Sequence, residues 1–145
     1  MAEFINIPVQ TVNYGQSVAL DSRRSCTKGY ILHREGAGIV TLRGAVNNPS
    51  SGYARYQVTF NGNIAIPDGG TVGEIGVAIA ISGEPDGASL AVTTPAAVNQ
   101  YGNVTSTTQI DVPRCCCVNV SVENVSATTG NILVRNANLV VTRIS

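Results

Sequence analysis

Histidine and cysteine are the residues of this sequence best suited to nucleophilic or metal chemistry, and the chain has one histidine and four cysteines. A nucleophilic catalytic system needs a nucleophile beside a base that a third group orients. His33 instead lies next to Arg34 and Glu35, and no Gly-x-Ser-x-Gly motif is present to carry a nucleophile. The pattern is typical of a surface or interface histidine, and it predicts that the chain is not an enzyme.

The cysteines are Cys26 and the run Cys115–Cys117. Metal sites favour Cys-x-x-Cys pairs, whereas three consecutive residues of a strand point to alternating faces. Cys116 shares its parity with Val118 and is predicted to lie in the core, with Cys115 and Cys117 on the opposite face. The pattern favours packed, reduced thiols. A disulfide from Cys26 or across subunits, and copper or zinc binding by the run, are the alternatives. No metal and no cofactor is predicted.

Glycine-rich turns and scattered carboxylates give no stronger signal. The segment Gly69–Gly73 lacks the Gly-Lys-Ser/Thr ending of a phosphate-binding loop, and Pro67–Gly70 is predicted to be a hairpin turn. Asp68, Glu74, Glu84 and Asp86 could bind calcium only if two loops converged. These carboxylates are therefore predicted to be solvated turn residues.

The charge composition excludes some partners and favours others. Nine Lys and Arg residues balance nine Asp and Glu residues, so the chain lacks the basic stripe of a nucleic-acid-binding protein. Charged residues are 12% of the chain, about half the usual share. The low charge favours a surface covered by identical subunits, and a surface of Asn, Ser, Thr and Gln is the alternative. Neither a signal peptide nor a membrane-spanning stretch is visible, which predicts synthesis in the cytosol and no membrane partner.

Strands must position all of these residues, because the chain alternates between apolar and polar side chains. This period of two runs through residues 56–66, 74–82 and 117–125, with turn residues between the segments. No segment of ten or more residues has a helical period. The sequence therefore predicts an all-β fold, an antiparallel two-sheet sandwich, jelly roll or barrel.

The segment 132–144 is apolar on both faces, which predicts cover on both faces. One face would carry Leu133, Ala137, Leu139 and Val141, and the other Ile132, Val134, Val140 and Ile144. The second cover is either another subunit or the N-terminal segment of the same chain.

Residues 1–25 are predicted to form an extended N-terminal arm, and residues 26–145 a separate jelly-roll domain. Polar residues and Pro8 separate the apolar residues Phe4, Ile5, Ile7, Val9 and Val12 of this arm. Such an arm could carry assembly contacts, and a simple edge strand is the alternative.

Several segments carry a resemblance to known proteins: His33–Gly44, Ala54–Phe60, Ile64–Pro67, Val77–Pro85, Val112–Cys116 and Ile132–Ile144. Together they resemble a family of small uncharacterised proteins of gut Firmicutes and their phages. Their order is also similar to the C1q/TNF-like jelly roll. That resemblance implies that the C-terminal strand pairs with an N-terminal strand at a threefold axis. Residues 1–25 contain no collagen-like Gly-x-y repeat, which departs from the pattern of C1q itself.

The resemblance implies a homotrimeric structural protein of a phage virion, either a capsid decoration protein or a head-fibre protein. Ile132, Val134, Val140 and Ile144 would form the subunit interface. The arm residues Phe4, Ile5, Ile7 and Val9 would dock onto the major capsid protein or another virion component. The alternative function is an adhesin that binds carbohydrates or cell surfaces, with surface glycans held by loops 47–53, 83–88 and 95–103 at one end of the fold.

Overall fold

The computed structural model describes residues 2–23, 30–34, 36–44, 52–127 and 129–144, and it describes residues 22 and 23 by their backbone alone. Twelve β-strands and one 3-10 helix, Gly87–Ser89, account for the regular structure in these ranges. The strands are β1 (Ala2–Asn6), β2 (Gln10–Val12), β3 (Ser22–Arg23), β4 (Ile31–His33), β5 (Val40–Arg43), β6 (Tyr53–Ala65), β7 (Ile75–Ile81), β8 (Glu84–Pro85), β9 (Ala91–Thr93), β10 (Gly102–Pro113), β11 (Cys117–Asn124) and β12 (Ile132–Arg143).

Two antiparallel sheets pack face to face around one core. Sheet A has the order β10-β6-β12-β1-β3, with β2 also paired to β12. Sheet B has the order β4-β5-β11-β7-β8, with β9 also paired to β7. Within the described ranges, no helix is long and apolar enough to cross a membrane. The predicted all-β, two-sheet sandwich is confirmed.

The alternating segments of the sequence form the centres of both sheets. In β6, the inward side chains of Tyr56, Val58 and Phe60 have no exposed surface. In sheet B, Val122 pairs with Ile79, and both face the core. Successive side chains of a strand point to opposite faces, so the period-two pattern predicted these inward positions correctly.

A β-bulge interrupts β12. Arg135 pairs with Asn63 and Asn138 pairs with Asn61, so β12 has one residue more than β6 between these two pairs. Asn136 in the bulge has a φ of 55°, which asparagine tolerates better than most residues. Because Arg135 and Asn136 are both exposed, the inward positions change from even to odd residue numbers at this point.

Because of the bulge, the β12 side chains that point into the core do not match either of the two predicted faces. The inward set, exposed by 1% or less, is Ile132, Val134, Ala137, Leu139 and Val141. The assignment of Ile132 and Val134 to a subunit interface is corrected, because both side chains are fully buried within one chain. Val140 does point outward and is half-buried.

The N-terminal segment is built into sheet A. β1 lies between β12 and β3, and Phe4 pairs with Leu139. Phe4 has no exposed surface, and its ring lies 4.5 Å from that of His33 in sheet B, measured between centroids. The division into an arm, 1–25, and a domain, 26–145, is therefore corrected for the described residues, because β1 and β2 are strands of the sandwich itself. The structure contains the pairing of the C-terminal strand with an N-terminal strand that the resemblance implies.

Tyr56 links the two sheets through its hydroxyl group. The side chain enters the core from β6 of sheet A, and its Oη donates a hydrogen bond to the carbonyl oxygen of Arg43 at the end of β5 in sheet B. The carbonyl oxygen of Tyr30 lies 3.3 Å from the same hydroxyl. A buried hydroxyl with carbonyl partners avoids the cost of an unsatisfied polar group, so this contact fixes one end of the sandwich.

Candidate functional site

The outer face of sheet A, which points away from the core, contains the long strands β6, β10 and β12. The strand register places its side chains in rows that run across β1, β12, β6 and β10. Three successive rows hold Glu3, Val140, Thr59 and Thr107; Ile5, Asn138, Asn61 and Thr105; and Thr142, Gln57 and Gln109. Glu3 is the one ionisable side chain of these three rows. Asn138 Nδ2 donates a hydrogen bond to Glu3 Oε2 at 2.7 Å. These rows therefore form a polar face that is neutral apart from Glu3, with Val140 and Ile5 among its amides and hydroxyls, and we call it the neutral face.

Hydrogen bonds between the side chains order part of this face. Asn103 Nδ2 donates to Asn61 Oδ1 at 3.0 Å and to Asn63 Oδ1 at 3.1 Å. Thr105 Oγ1 donates to Asn61 Oδ1 at 2.9 Å, and Thr59 and Thr107 share a hydrogen bond of 3.1 Å. Amides and hydroxyls both donate and accept, so this array can also bond to groups on a partner.

Charged side chains lie at the two ends of the face, and the structure pairs them there. Arg55 Nε lies 2.8 Å from Asp111 Oδ1, and the hydrogen bond from Arg55 lowers the pKa of Asp111. At the other end, the guanidinium carbon of Arg135 lies 3.8 Å from the centroid of the Tyr101 ring. Between these charges, Glu3 is the one ionisable side chain of the three rows, and its carboxylate already accepts a hydrogen bond from Asn138. A partner covering these rows would therefore meet few charges.

The sequence-predicted interface and arm residues fall in different environments. Val140 lies in the middle of the outer face of sheet A, and Ile144, just beyond β12, is 44% exposed. Of the arm residues, Phe4 is in the core, which corrects its predicted role in docking. Ile5 is half-buried on the outer face of sheet A. The described residues that stay open to a partner in the loop after β1 are Ile7 and Val9, at 62% and 53% exposure.

Most of the neutral face could not be predicted from the sequence. Alternation in β6 assigned Gln57, Thr59, Asn61 and Asn63 to one face, but it gave no partner strand. In β10, residues 105–109 are all polar, so the sequence does not show which of them face outward. The pairing of β6 with β10 brings their outward side chains into one surface.

The loops proposed for an adhesin do not form one surface. Gly102, which ends the loop 95–103, pairs with Ile64 at one end of β6. Tyr53, which ends the loop 47–53, pairs with Pro113 at the other end of the same ladder. The loop 83–88 begins beside Asn119, near the Tyr53 end. Residues 47–51 lie outside the described residues.

The cysteine run forms an exposed turn between β10 and β11, and strand β11 begins only at Cys117. The backbone N–H of Cys116 donates to the carbonyl oxygen of Pro113 at 3.0 Å, and Cys115 has a φ of 62°. All three thiols are free and exposed, so the predicted core position of Cys116 is wrong. Cys26 lies outside the described residues. Across the described ranges, no group of three or more His, Cys, Asp or Glu side chains is arranged to hold a metal ion.

Glu123 is the buried carboxylate of sheet B, and burial raises its pKa. The folded chain therefore retains the proton at a pH where the unfolded chain has lost it. Stability from this group is full below the ordinary glutamate pKa and is lost as the pH rises through the raised value. We expect Glu123→Gln to stabilise the protein at pH 7 and to leave its stability almost unchanged near pH 3.

Urea unfolding at several pH values between 3 and 7 measures this difference. Glu84→Gln is the matched control, because Glu84 is exposed. A difference between wild type and Glu123→Gln that does not vary with pH would contradict the assignment to carboxylate burial.

The comparisons with known proteins bear on the fold. No known family model matches the sequence, and no curated protein is similar to it in sequence. Among solved structures, the globular domain of the zebrafish complement 1qA protein matches with a TM-score of 0.69 and 12% identity, covering 99% of this chain and 96% of that one. Eiger TNF from S. frugiperda matches with a TM-score of 0.66 and 7% identity, covering 99% and 91%.

Murine APRIL matches with a TM-score of 0.52 and 9% identity, covering 95% of each chain. The likeness concerns the fold, since all three identities are low. The predicted C1q/TNF-like jelly roll is confirmed. The association with gut Firmicutes and their phages stays a prediction.

Proposed function

We propose that this chain is a non-enzymatic structural module that assembles as a homotrimer through the outer face of sheet A. The observation that carries the proposal is the neutral face, whose three rows cross β12, β6 and β10, two of them also β1, and contain one ionisable side chain, Glu3. Covering neutral amides and hydroxyls costs less than covering charges, and an identical copy supplies both donors and acceptors for them. The number of three subunits comes from the C1q/TNF resemblance.

We further propose that the trimer serves in a phage virion as a capsid decoration or head-fibre protein. The exposed apolar tip formed by Ile7, Pro8 and Val9 would contact the major capsid protein or another virion component. This tip lies beside the β12 bulge, because the carbonyl oxygen of Ile7 accepts a hydrogen bond from the backbone N–H of Asn136. The contact would rest on shape and apolar burial.

The native mass in solution tests the assembly. Light scattering on a sizing column should give about 45 kDa, three times 15.0 kDa, with and without reductant. The mass should survive reductant because packing, and not the exposed cysteine turn, would hold the subunits. We expect Val140→Asp to give a folded species of about 15 kDa, since it places a carboxylate at the centre of the contact.

Val72→Asp is the matched control, because Val72 is 49% exposed and lies outside the strands of sheet A. It should keep the mass of the wild type. A wild-type mass of 15 kDa would rule out the trimer. A Val140→Asp protein that stays trimeric would show that another face forms the contact.

The virion role is tested separately, by quantitative mass spectrometry of purified particles of the phage that encodes this chain. We expect the chain to be present in a fixed ratio to the major capsid protein. Its absence from intact particles would contradict the virion role and leave the trimer unaffected.

A further inference from the structure

A groove of about 360 Å³ lies between the end of β5 and the turn that joins β10 to β11, and we call it the cysteine groove. The residues that line it are Arg43, Gly44, Cys115, Cys116 and Cys117. Sites for small molecules typically measure about 300–1,000 Å³. The cysteine groove is therefore large enough for a small organic ligand, and it places three exposed thiols against that ligand.

Backbone contacts hold the two sides of the cysteine groove together. The N–H of Gly44 donates to the carbonyl oxygen of Cys116 at 2.8 Å, and the N–H of Cys116 donates to the carbonyl oxygen of Pro113 at 3.0 Å. A Cβ atom at residue 44 would lie 2.0 Å from the same carbonyl oxygen of Pro113, so this close approach requires glycine. The main chain that carries the thiols is therefore fixed beside β5.

The strand register places a guanidinium group beside one of the thiols. Arg43 pairs directly with Cys117 in the ladder between β5 and β11, and both side chains are exposed. The next outward pair of this ladder, Thr41 and Asn119, shares a side-chain hydrogen bond of 2.9 Å. Directly opposed residues of antiparallel strands have Cβ atoms about 4.5–5.5 Å apart. Arg43 and Cys117 therefore present a cation and a thiol on one surface of sheet B.

The surroundings of the cysteine groove are cationic. Arg114, which immediately precedes the three cysteines, is exposed. The carboxylate of Asp111 is already bound to Arg55, with distances of 2.8 Å from Nε to Oδ1 and 3.1 Å from Nη2 to Oδ2. Among the residues that the structure describes, no carboxylate lines the groove. A small molecule that carries carboxylates would therefore be attracted to this surface.

We propose that the cysteine groove is a modification site for small anionic disulfides. A carboxylate of the disulfide pairs with the guanidinium group of Arg43 while the thiolate of Cys117 attacks one of the two sulfur atoms. The S–S bond of the small molecule breaks, and a new S–S bond forms on Cys117. The proton that Cys117 loses before the attack is taken up by the leaving thiolate. The small disulfide is itself the oxidant, so the exchange balances without another reactant.

This inference goes beyond the proposed structural function and does not depend on it, because Arg43 and Cys117 belong to sheet B and not to the neutral face. The probe is glutathione disulfide, whose carboxylates outnumber its ammonium groups. The neutral reference is 2-hydroxyethyl disulfide. A full-length chain that keeps Cys117 and has serine at its other three cysteines is mixed with each disulfide at pH 8. Mass spectrometry then measures the rate at which the mixed disulfide forms.

The informative quantity is the rate with glutathione disulfide divided by the rate with the neutral disulfide, because this ratio cancels differences in thiol exposure. We expect Arg43→Gln to lower the ratio roughly threefold, the usual size of an exposed charge interaction. Arg135→Gln is the matched control, since it removes the same charge from the part of β12 that lies beside the Tyr101 ring, and it should keep the ratio. Both arginines are exposed, so neither change should disturb the core.

Three results would each overturn the proposal. The first is that no mixed disulfide forms on Cys117. The second is a ratio that Arg43→Gln leaves unchanged, which would mean that the guanidinium group does not select the anionic disulfide. The third is an equal fall in the ratio for Arg43→Gln and Arg135→Gln, which would assign the effect to the net charge of the chain.

Discussion

Replacement of Tyr56 by alanine is expected to lower the free energy of unfolding by about 3–5 kcal/mol. This is a large part of the roughly 5–15 kcal/mol that stabilises a typical domain. The side chain is fully buried in sheet A, and its hydroxyl donates to the carbonyl oxygen of Arg43 in sheet B. Alanine would remove both the ring from the core and the hydrogen bond between the sheets. Urea unfolding at pH 7 measures the loss.

Tyr56→Phe separates the two contributions, because it keeps the ring and removes the hydroxyl. We expect a loss of about 1 kcal/mol, the usual net value of one hydrogen bond. Burial raises the pKa of Tyr56, so the wild type should lose stability as the pH rises above the ordinary tyrosine value, and Tyr56→Phe should lose less. Equal losses for the alanine and phenylalanine variants at pH 7 would mean that the ring contributes little.

Replacement of Gly44 by alanine should be the second severe change, with an expected loss of about 3 kcal/mol. The backbone N–H of Gly44 donates to the carbonyl oxygen of Cys116 at 2.8 Å. A Cβ atom at residue 44 would lie 2.0 Å from the carbonyl oxygen of Pro113. That oxygen belongs to the backbone and cannot rotate away, so the end of β5 would have to separate from the cysteine turn.

Gly52→Ala is the matched control for this change. Gly52 precedes β6 near the same end of the sandwich, and a Cβ atom there would meet no atom within 4 Å. We expect no loss of stability for this variant. Similar losses for both variants would show that close backbone approach is not the cause.

The sequence was sufficient to predict the strands whose side chains alternate without interruption. Tyr56, Val58 and Phe60 in β6, and Val77 and Ile79 in β7, face the core as predicted. The reason is physical, because burial on one face of a sheet requires alternation with a period of two. The lack of long helical periods likewise predicted the all-β class.

The predictions that the structure corrects concern places where a bulge or turn interrupts a strand, or where a strand pairs with a segment distant in sequence. The β12 bulge reverses the parity after Arg135, so Ile132 and Val134 could not be assigned to a face by extending the pattern back from Val140. The alternating pattern of β11 can be extended back through Cys115 and Cys116, but these two residues lie in a turn and the strand begins at Cys117. The pairing of Phe4 with Leu139 joins the two ends of the chain, and no local pattern indicates such a contact.

The candidate sites were predictable only in part. The neutral face of sheet A depends on the pairing of β6 with β10, which connects residues about 40 to 60 positions apart in the sequence. The small residues Gly76 and Ala78 did indicate an unusual strand face. The lack of a side chain at Gly76 leaves room for Val92 of the neighbouring strand β9, since a Cβ atom there would lie 2.7 Å from Cγ1 of Val92.

Because of the bulge at Asn136, the number of residues in β12 can change without changing which of its side chains face the core. Inward positions alternate regularly up to Val134 and again from Ala137, and the two exposed residues between them absorb the extra residue. A chain one residue shorter at this point would carry the same five apolar side chains into the core. The centre of the sheet thus contains a position where insertions and deletions can accumulate during evolution without exchanging the buried and outer faces.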